Sequence, residues 1–280
     1  MTSYSHTTFR RNNAPFGAMR PPTACFIVGT DTDVGKTLVT AGLLRALTGL
    51  GLEVQALKPV QTGDIVDEAI YAQACPGART RTLRHFQLAA SPHLAAAREG
   101  RSLNLDQLAD DIALAVAQAE LTLIEGAGGV CTPLSPTETF LNLMARLPFP
   151  VLLVIKNTLG AINHSLLSLA ALREGGLKVA GLIINQTTPA TAERQMILDD
   201  NLTAIPAMGH TPLLSALPYF EWPDQRHGPE WGQAPSKVVM TGAHRPGTDF
   251  SRHQPYPASA GWEEVTEQLG PAAEHLLNHN

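Results

Sequence analysis

The amino-acid sequence predicts an α/β fold in which a mostly parallel sheet carries helices on both faces. Short apolar runs alternate along the chain with segments whose apolar residues recur every three or four positions, a pattern typical of strands and amphipathic helices. The helical spacing is clearest in 105–120, where Leu105, Leu108 and Ile112 share one face. A glycine-rich loop directly follows the first apolar run, at 24–28, and this order of strand and loop is typical of phosphate-binding proteins.

The apolar runs predict six strands, and the periodic segments predict six helices. We expect the strands at 24–28, 53–57, 121–124, 150–155, 178–184 and, as a short last strand, 213–216. We expect the helices at 36–50, 105–120, 140–147, 162–174, 191–201 and, after an irregular stretch, 262–277. Gly175 and Gly176 follow the fourth of these helices, as glycine commonly does at a helix C-terminus. The alternation of the two kinds of element predicts parallel strands joined by crossover helices.

The composition divides the chain into three predicted segments. Residues 1–22 contain three arginines and no acidic residue, and we expect a disordered or leader-like extension there. Residues 23–222 contain all the predicted strands and would form the domain that carries the phosphate-binding loop. After about residue 223 the periodicity is lost, so 223–280 is expected to be an irregular extension with a possible last helix. We expect removal of 224–280 to leave a folded protein.

The composition of the whole chain excludes several classes of function. Its 280 residues are 44% hydrophobic and 16% charged, with a net charge of −5, so no basic surface for nucleic acid or anionic membrane is expected. No apolar stretch approaches the roughly 20 residues that span a bilayer. The three cysteines are scattered and odd in number, which is typical of reduced thiols in an intracellular protein. We therefore expect a cytoplasmic protein without nucleic-acid or membrane partners.

Residues 29–37 read Gly-Thr-Asp-Thr-Asp-Val-Gly-Lys-Thr and predict a loop that holds phosphate. Glycines let the backbone approach an anion closely, and successive N–H groups then point into one concavity. Lys36 would bind the β- and γ-phosphates and Thr37 would ligate magnesium, at the N-terminus of the helix that follows. Counting back from Gly35, Thr30 stands where the usual pattern has its first glycine, so the loop is a variant form. These features predict a P-loop NTPase-like fold.

A lysine follows the second predicted strand. In a parallel sheet the carboxyl ends of the strands meet at one edge, where ligands bind. Lys58 begins a loop in which Pro59 holds Lys58 extended and Gly63 allows a tight turn. If the second strand lies beside the first, Lys58 faces the γ-phosphate region, where it would stabilise the negative charge that develops during phosphoryl transfer.

Three further segments are expected at the same edge of the sheet. Glu125 ends the third predicted strand and precedes Gly-Ala-Gly-Gly, so its carboxylate suits magnesium and the glycines allow close approach to a ligand. Asn185 and Gln186 offer amides that can pair with the edge of a nucleotide base. Gly160 begins a turn into a helix, whose N-terminus is a second site for an anion.

In their order along the chain these motifs resemble those of the dethiobiotin synthetase family. The resemblance covers about residues 23–220. It rests on Gly-Thr-Asp-Thr-Asp-Val-Gly-Lys-Thr (29–37), Lys-Pro-Val-Gln-Thr-Gly (58–63), Ser-Pro-His (91–93), Arg-Glu-Gly (98–100), Glu-Gly-Ala-Gly-Gly (125–129) and Leu-Gly-Ala-Ile-Asn-His (159–164). The first motif is shared with other phosphate-loop synthases, whereas the complete series is specific to this family.

The resemblance implies an ATP-dependent carboxylation and ring closure in biotin biosynthesis. In that family, 7,8-diaminononanoate and CO₂ or bicarbonate give a carbamate on one amine. The carbamate oxygen attacks the γ-phosphate of ATP, and the resulting carbamic–phosphoric anhydride is closed by the second amine to give dethiobiotin. The resemblance also implies ATP as co-substrate, Mg²⁺ as cofactor and a homodimer.

Individual residues acquire roles from the same resemblance. Lys36 and Lys58 would be catalytic, and magnesium would bind Thr37, Glu125 and Asp67, the last preferred to Asp64 because it stands one turn before a probable helix. The ATP-binding residues would be Asp33, Val34, Gly35, Lys36, Thr37, Glu125, Gly126, Ala127, Gly128, Asn185, Gln186, Pro218, Tyr219 and Phe220. The substrate would contact Thr62 and, on the other subunit, the backbone of Gly160, Ala161, Ile162 and Asn163.

Two alternative functions share the phosphate loop. A related amidoligase of the cobyrinic-acid-synthase type would also have Glu125, but it gives no reason for Lys-Pro-x-x-Thr-Gly and Ile-Asn-His to occur together. A non-enzymatic ATPase switch of the Min/Par type would carry an additional lysine near the start of the loop. The chain has Thr30 and Asp31 there, which argues against the switch.

Overall fold

The computed structural model describes residues 23–64, 67–220 and 262–279. The extension expected at 1–22 lies outside these residues, and so does 223–261 of the expected C-terminal extension. The division of the chain at 222 and 223 therefore stays a prediction. Within the described residues, no helix is both long enough and apolar enough to cross a membrane.

Seven strands form one sheet in the order β3-β2-β4-β1-β5-β6-β7, and every neighbouring pair is parallel. The strands are β1 (Thr23–Gly29), β2 (Val54–Thr62), β3 (Arg79–Phe86), β4 (Leu121–Gly129), β5 (Val151–Lys156), β6 (Val179–Asn185) and β7 (Leu213–Leu217). The helices are α1 (Lys36–Gly49), α2 (Asp67–Ala74), α3 (Pro92–Arg98), α4 (Leu105–Val116), α5 (Phe140–Met144), α6 (Ala161–Glu174), α7 (Ala192–Gly209) and α8 (Trp262–His279). The predicted P-loop NTPase-like fold class is confirmed.

Two hydrophobic cores cover the two faces of the sheet. Alternate residues of β1 point to opposite faces, so Phe26 packs in one core and Ile27 in the other. The core around Phe26 contains side chains of α3, α4, α5, α6 and α7. The core around Ile27 contains side chains of α1, α2 and α8. The expected helices on both faces are therefore present.

The structure contains one strand and one short helix, α3, that the sequence patterns did not predict. Strand β3 was missed because its sequence is Arg-Thr-Arg-Thr-Leu-Arg-His-Phe and six of its eight side chains are polar. It is an edge strand that pairs with β2 alone among the described strands, and charged side chains are common on such edges. Helix α3 has seven residues, too few for a clear helical period. The helix expected after Asp67 is present as α2, but it begins at Asp67 and not one turn later.

The second strand is longer than predicted, which corrects the expected position of Lys58. Strand β2 continues through Pro59 to Thr62, so Lys58 lies inside a strand and not in a loop after one. Its pairing with β4 ends at Leu57, and only β3 accompanies it further. A proline is tolerated there because one side of the strand has no ladder to interrupt.

Strand order also corrects the assumption that the second strand lies beside the first. Strand β4 separates β1 from β2. Lys58 is therefore not adjacent to the phosphate loop, because the end of β4 lies between them. The residue on β4 that it meets is Glu125.

The last helix is part of the core. Helix α8 packs against α1 and β7, and Trp262, Val265 and Leu269 are fully buried. Gly42 on α1 makes room for it, because a Cβ there would lie 2.5 Å from Leu269 Cδ1 and 2.8 Å from Val265 Cγ1. The expectation that 224–280 can be removed from a folded protein is therefore no longer supported.

Candidate active site

The loop between β1 and α1 has the backbone form of a phosphate cradle. Asp33 and Gly35 have φ angles of 56° and 98°, in the left-handed region that turns the chain tightly. Gly35 precedes the first turn of α1, and no side chain caps that turn. The first N–H groups of a helix have no intrahelical partner, so this end of α1 is suited to receive an anion.

Lys36 bridges the loop. Its Nζ atom donates a hydrogen bond to the backbone oxygen of Asp31 at 2.9 Å, and the side chain is buried. Burial and the charge of the nearby Lys58 lower the pKa of Lys36 to about 8. A polyphosphate bound in the loop would bring negative charge to this ammonium, and opposite charge favours the protonated form.

Glu125 lies at the centre of a buried polar cluster, which consists of Thr37, Lys58, Asp67, Tyr71 and Glu125. Its Oε1 atom accepts hydrogen bonds from Thr37 Oγ1 at 2.9 Å and from Lys58 Nζ at 2.7 Å. Its Oε2 atom accepts one from the Tyr71 hydroxyl. Burial alone would raise the pKa of Glu125, but the charge of Lys58 and the hydrogen bonds from Lys58 and Tyr71 together outweigh it and hold that pKa below its usual value. Glu125 is therefore ionised.

Lys58 lies between two carboxylates. Its Nζ atom is 2.6 Å from Asp67 Oδ2 and 2.7 Å from Glu125 Oε1, and it also donates to the backbone oxygen of Gly126 at 3.2 Å. Burial acts to lower the pKa of Lys58, yet Glu125 and Asp67 together raise it above the usual value. Burial of the Asp67 carboxylate raises its pKa, although the charge of Lys58 acts to lower it. The cluster thus holds a protonated lysine, a charge that can neutralise an anionic substrate.

The donor set fits a magnesium ion. Thr37, Asp67 and Glu125 supply one hydroxyl and two carboxylates, and Lys58 already draws both carboxylates to one point. Magnesium prefers hard oxygen ligands and is usually held by one or two carboxylates together with substrate phosphates. Among residues 23–64, 67–220 and 262–279, no group of three or more His, Cys, Asp or Glu side chains could hold a metal. One hydroxyl and two carboxylates suit an ion that arrives with the phosphates of a nucleotide. Asp64 is exposed, whereas Asp67 contacts Lys58.

At the other end of the loop, Asn185 closes over the start of α1. It ends β6, is buried, and donates from Nδ2 to the backbone oxygen of Val34 at 2.9 Å. A Cβ on Gly35 would overlap this amide, so glycine is required for both its conformation and its contact. Gln186 follows and donates from Nε2 to the backbone oxygen of Thr188 at 3.1 Å.

The remaining predicted residues lie at the same edge of the sheet. Thr62 ends β2, and Ala127 and Gly128 belong to the end of β4. Gly160 has a φ angle of 89° and precedes α6, in which Ala161 is buried and Ile162 and Asn163 are partly or fully exposed. Of the last segment, Pro218 and Tyr219 are exposed, whereas Phe220 is buried in the core beside α1 and α8.

Tyr71 is the residue of this cluster that the sequence patterns missed. It lies on α2, four residues after Asp67, and residues four apart share one face of a helix. That spacing would have pointed to it once Asp67 was placed at the start of a helix. A tyrosine in a short helix gives no other signal, because most buried tyrosines serve packing.

Comparison with known proteins finds relatives of this chain. Residues 23–224 match a family model described as an AAA domain. The ATP-dependent dethiobiotin synthetase of Cellvibrio japonicus is 38% identical over 214 residues, which are 70% of this chain and 89% of the relative. That of Ralstonia nicotianae is 38% identical over 213 residues, which are 72% and 91%.

Solved structures with lower identity were also found. The cell division ATPase MinD of Pyrococcus furiosus is 18% identical with a TM-score of 0.49, covering 70% of this chain and 83% of that one. A ParA family ATPase of Chlorobium tepidum is 11% identical with a TM-score of 0.47, covering 71% and 86%. The relatives that match at 38% identity over most of their length favour the synthetase over both alternatives. The chain belongs to the family of ATP-dependent dethiobiotin synthetases.

Proposed function

We propose that the protein closes the ureido ring of dethiobiotin from 7,8-diaminononanoate, CO₂ and ATP, as a ligase of biotin biosynthesis in the cytoplasm. The observation that carries this proposal is the protonated Lys58, buried between Glu125 and Asp67 beside a phosphate cradle. An ATPase that only hydrolyses its nucleotide needs a positioned water. A buried lysine at this point suits instead an anionic oxygen that must attack the γ-phosphate.

The proposed reaction has three steps. One amine of the diamine adds to CO₂, loses a proton and becomes a carbamate. A carbamate oxygen then attacks the γ-phosphorus, the bond to the β-phosphate oxygen breaks, and ADP leaves. The second amine attacks the carbonyl carbon of the mixed anhydride, phosphate leaves with the bonding electrons, and a proton is lost as the ring closes.

The residues of the site have different roles in these steps. Lys36 and the N–H groups at the start of α1 hold the phosphates, and Lys58 pairs with the carbamate and stabilises the charge on the transferring phosphoryl group. Thr37, Asp67 and Glu125 would hold Mg²⁺, which neutralises charge on the β- and γ-phosphates when it is bound. Thr62 and the loop 126–128 would face the diamine and the nucleotide.

The reaction is tested by measuring ADP formation with and without 7,8-diaminononanoate and bicarbonate. We expect the diamine to be required for turnover, and the product to contain the carbon of labelled bicarbonate. ATP hydrolysis at the same rate without the diamine would remove the proposal and favour a switch ATPase.

Asn185 should make the enzyme selective for bases that carry an exocyclic amino group. One N–H of Asn185 Nδ2 donates to the backbone oxygen of Val34, and we propose that Oδ1, which can only accept, is the atom that meets the base. Inosine triphosphate replaces the amino group of ATP by a carbonyl, so two acceptors would face each other. We expect kcat/KM for inosine triphosphate to be at least ~10-fold below that for ATP. Values within twofold would show that Asn185 does not read the base.

The homodimer expected from the resemblance has a candidate surface around the start of α6. Leu159, Leu167 and Met196 are 79%, 63% and 75% exposed, on the turn before α6, on α6 and on α7. Exposed large apolar side chains mark protein contacts where they lie together in one patch. We propose that this surface pairs with a second copy, and that Gly160–Asn163 of one subunit bind the carboxylate of the substrate in the other.

The dimer is tested with Leu159→Asp, which places a charge on the proposed contact. We expect sedimentation to show a monomer, and KM for the diamine to rise by about 10-fold or more, since a central apolar contact can carry that much binding energy. ATP binding should be unchanged. Leu114→Asp is the control, because Leu114 is 66% exposed on α4. A dimeric Leu159→Asp protein with normal KM would contradict the assignment.

A further inference from the structure

Tyr71 is buried beside the phosphate site, and no step of the proposed reaction uses it. The side chain is fully buried and packs in the core on the α1 face of the sheet, together with its neighbours Ile70 and Ala74 on α2. Asp67 lies one turn earlier on the same face of the helix. Helix α2 therefore presents two polar groups to the cluster, the Asp67 carboxylate toward Lys58 and the Tyr71 hydroxyl toward Glu125.

The Tyr71 hydroxyl completes the set of donors around the Glu125 carboxylate. Thr37 on α1 and Lys58 on β2 both donate to Oε1, and Tyr71 on α2 donates to Oε2. Side chains of three different elements thus hold the two oxygens of Glu125. Hydrogen bonds to an ionised acceptor are about twice as strong as those between neutral groups. Without Tyr71, the donors that hold Glu125 would all act on one oxygen.

We propose that Tyr71 is a positioning residue, which fixes the plane of the Glu125 carboxylate for the divalent cation that accompanies ATP. This inference rests on the proposed function, because it needs Glu125 to be a ligand of that cation. Groups that hydrogen-bond a metal-ligating side chain commonly change metal affinity or activity by about 10- to 100-fold when they are removed. A carboxylate free to turn toward Lys58 would spend less time in the orientation that the cation requires.

Tyr71→Phe separates this role from packing, because it keeps the ring and removes only the hydroxyl. The probe is Mn²⁺, titrated by its electron paramagnetic resonance signal in the presence of a non-hydrolysable ATP analogue. We expect Mn²⁺ affinity to fall about 10-fold or more in Tyr71→Phe. We expect the affinity for the analogue in EDTA to stay within twofold of the wild type, since the loop 29–37 is unchanged. With Mg²⁺, turnover should recover at high cation concentration.

Ile70→Val is the matched control. Ile70 is also buried on α2, and losing one methyl group lowers the unfolding temperature without touching the cluster. We expect this variant to bind Mn²⁺ as the wild type does. If Tyr71→Phe does not fold, Tyr71→Leu also lacks the hydroxyl and takes its place in the same titration.

Four results decide the inference. Weakened Mn²⁺ binding in Tyr71→Phe alone supports it. Mn²⁺ affinity within twofold of the wild type overturns it and leaves Tyr71 a packing residue, and so does an equal loss of analogue binding in EDTA. If the wild type itself binds no Mn²⁺ with the analogue, the magnesium role of Glu125 in the proposed function fails first, and the two failures are therefore distinguishable.

Discussion

Lys58→Ala is expected to lower the rate of dethiobiotin formation by at least ~10²-fold while ATP still binds. Lys58 is the ammonium that meets both Glu125 and Asp67, and loss of one preorganised charge at a transferring group costs about 10²- to 10³-fold in rate. ATP binding depends instead on the loop 29–37 and Lys36, which the substitution leaves in place. Single-turnover phosphoryl transfer and calorimetric titration with a non-hydrolysable analogue measure the two quantities separately.

The same substitution is expected to lower stability, because it leaves two carboxylates buried without their shared cation. Removal of one partner of a buried ion pair typically destabilises a protein by about 3–5 kcal/mol. Urea unfolding should therefore show a lower midpoint, and rates should be measured well below it. Lys178→Ala is the control, since this exposed lysine precedes β6 at the opposite edge of the sheet. An unchanged rate in Lys58→Ala would contradict the role given to Lys58.

Leu269→Ala is expected to destabilise the protein by about 2–5 kcal/mol, as truncation of a fully buried leucine does. Leu269 is on α8, and its Cδ1 atom occupies the space left by Gly42 on α1. Helix α1 also carries Lys36 and Thr37, so the packing of α8 supports the helix that begins at the phosphate loop. The midpoint of urea unfolding, with the m-value as a check on two-state behaviour, measures the effect.

Termination of the chain after residue 261 should have a larger effect than Leu269→Ala, because it removes Trp262, Val265 and Leu269 together. We expect this protein to lack a cooperative unfolding transition or to be insoluble. The control is Leu114→Ala on α4, where the side chain is 66% exposed and an effect within about 0.5 kcal/mol is expected. A shortened protein with a normal transition would restore the view that the C-terminal segment is dispensable.

Much of the fold follows from local patterns. The buried strands β1, β4, β5 and β6 appear as apolar runs, since both faces of the sheet are covered by helices. Elements at the margin of the core do not produce such apolar runs in the sequence. Strand β3 has a polar sequence because it is an edge strand, and α3 is too short to show a period. Helix α2 was expected near Asp67, but without bounds. Its existence depends on Ile70, Tyr71 and Ala74 fitting the core beside α1.

Local patterns also predicted part of the site, and the rest depends on contacts between distant residues. Chain order and spacing indicated Lys36, Thr37 and Glu125, because a phosphate loop and an acidic strand end are local patterns. The partners of Lys58 were not local, since β4 lies between β1 and β2 and brings Glu125 to it. Tyr71 was missed because its contact with Glu125 spans 54 residues of chain.

The sequence by itself determined that this chain builds a parallel α/β sheet with a phosphate loop and belongs with the dethiobiotin synthetases, because those properties reside in short contiguous motifs. Only the tertiary structure decided that α8 is part of the core and that one carboxylate joins α1, β2 and α2. Both depend on contacts between residues far apart in the chain, which no local periodicity records. The strand order is the physical reason that Glu125 became the centre of the site.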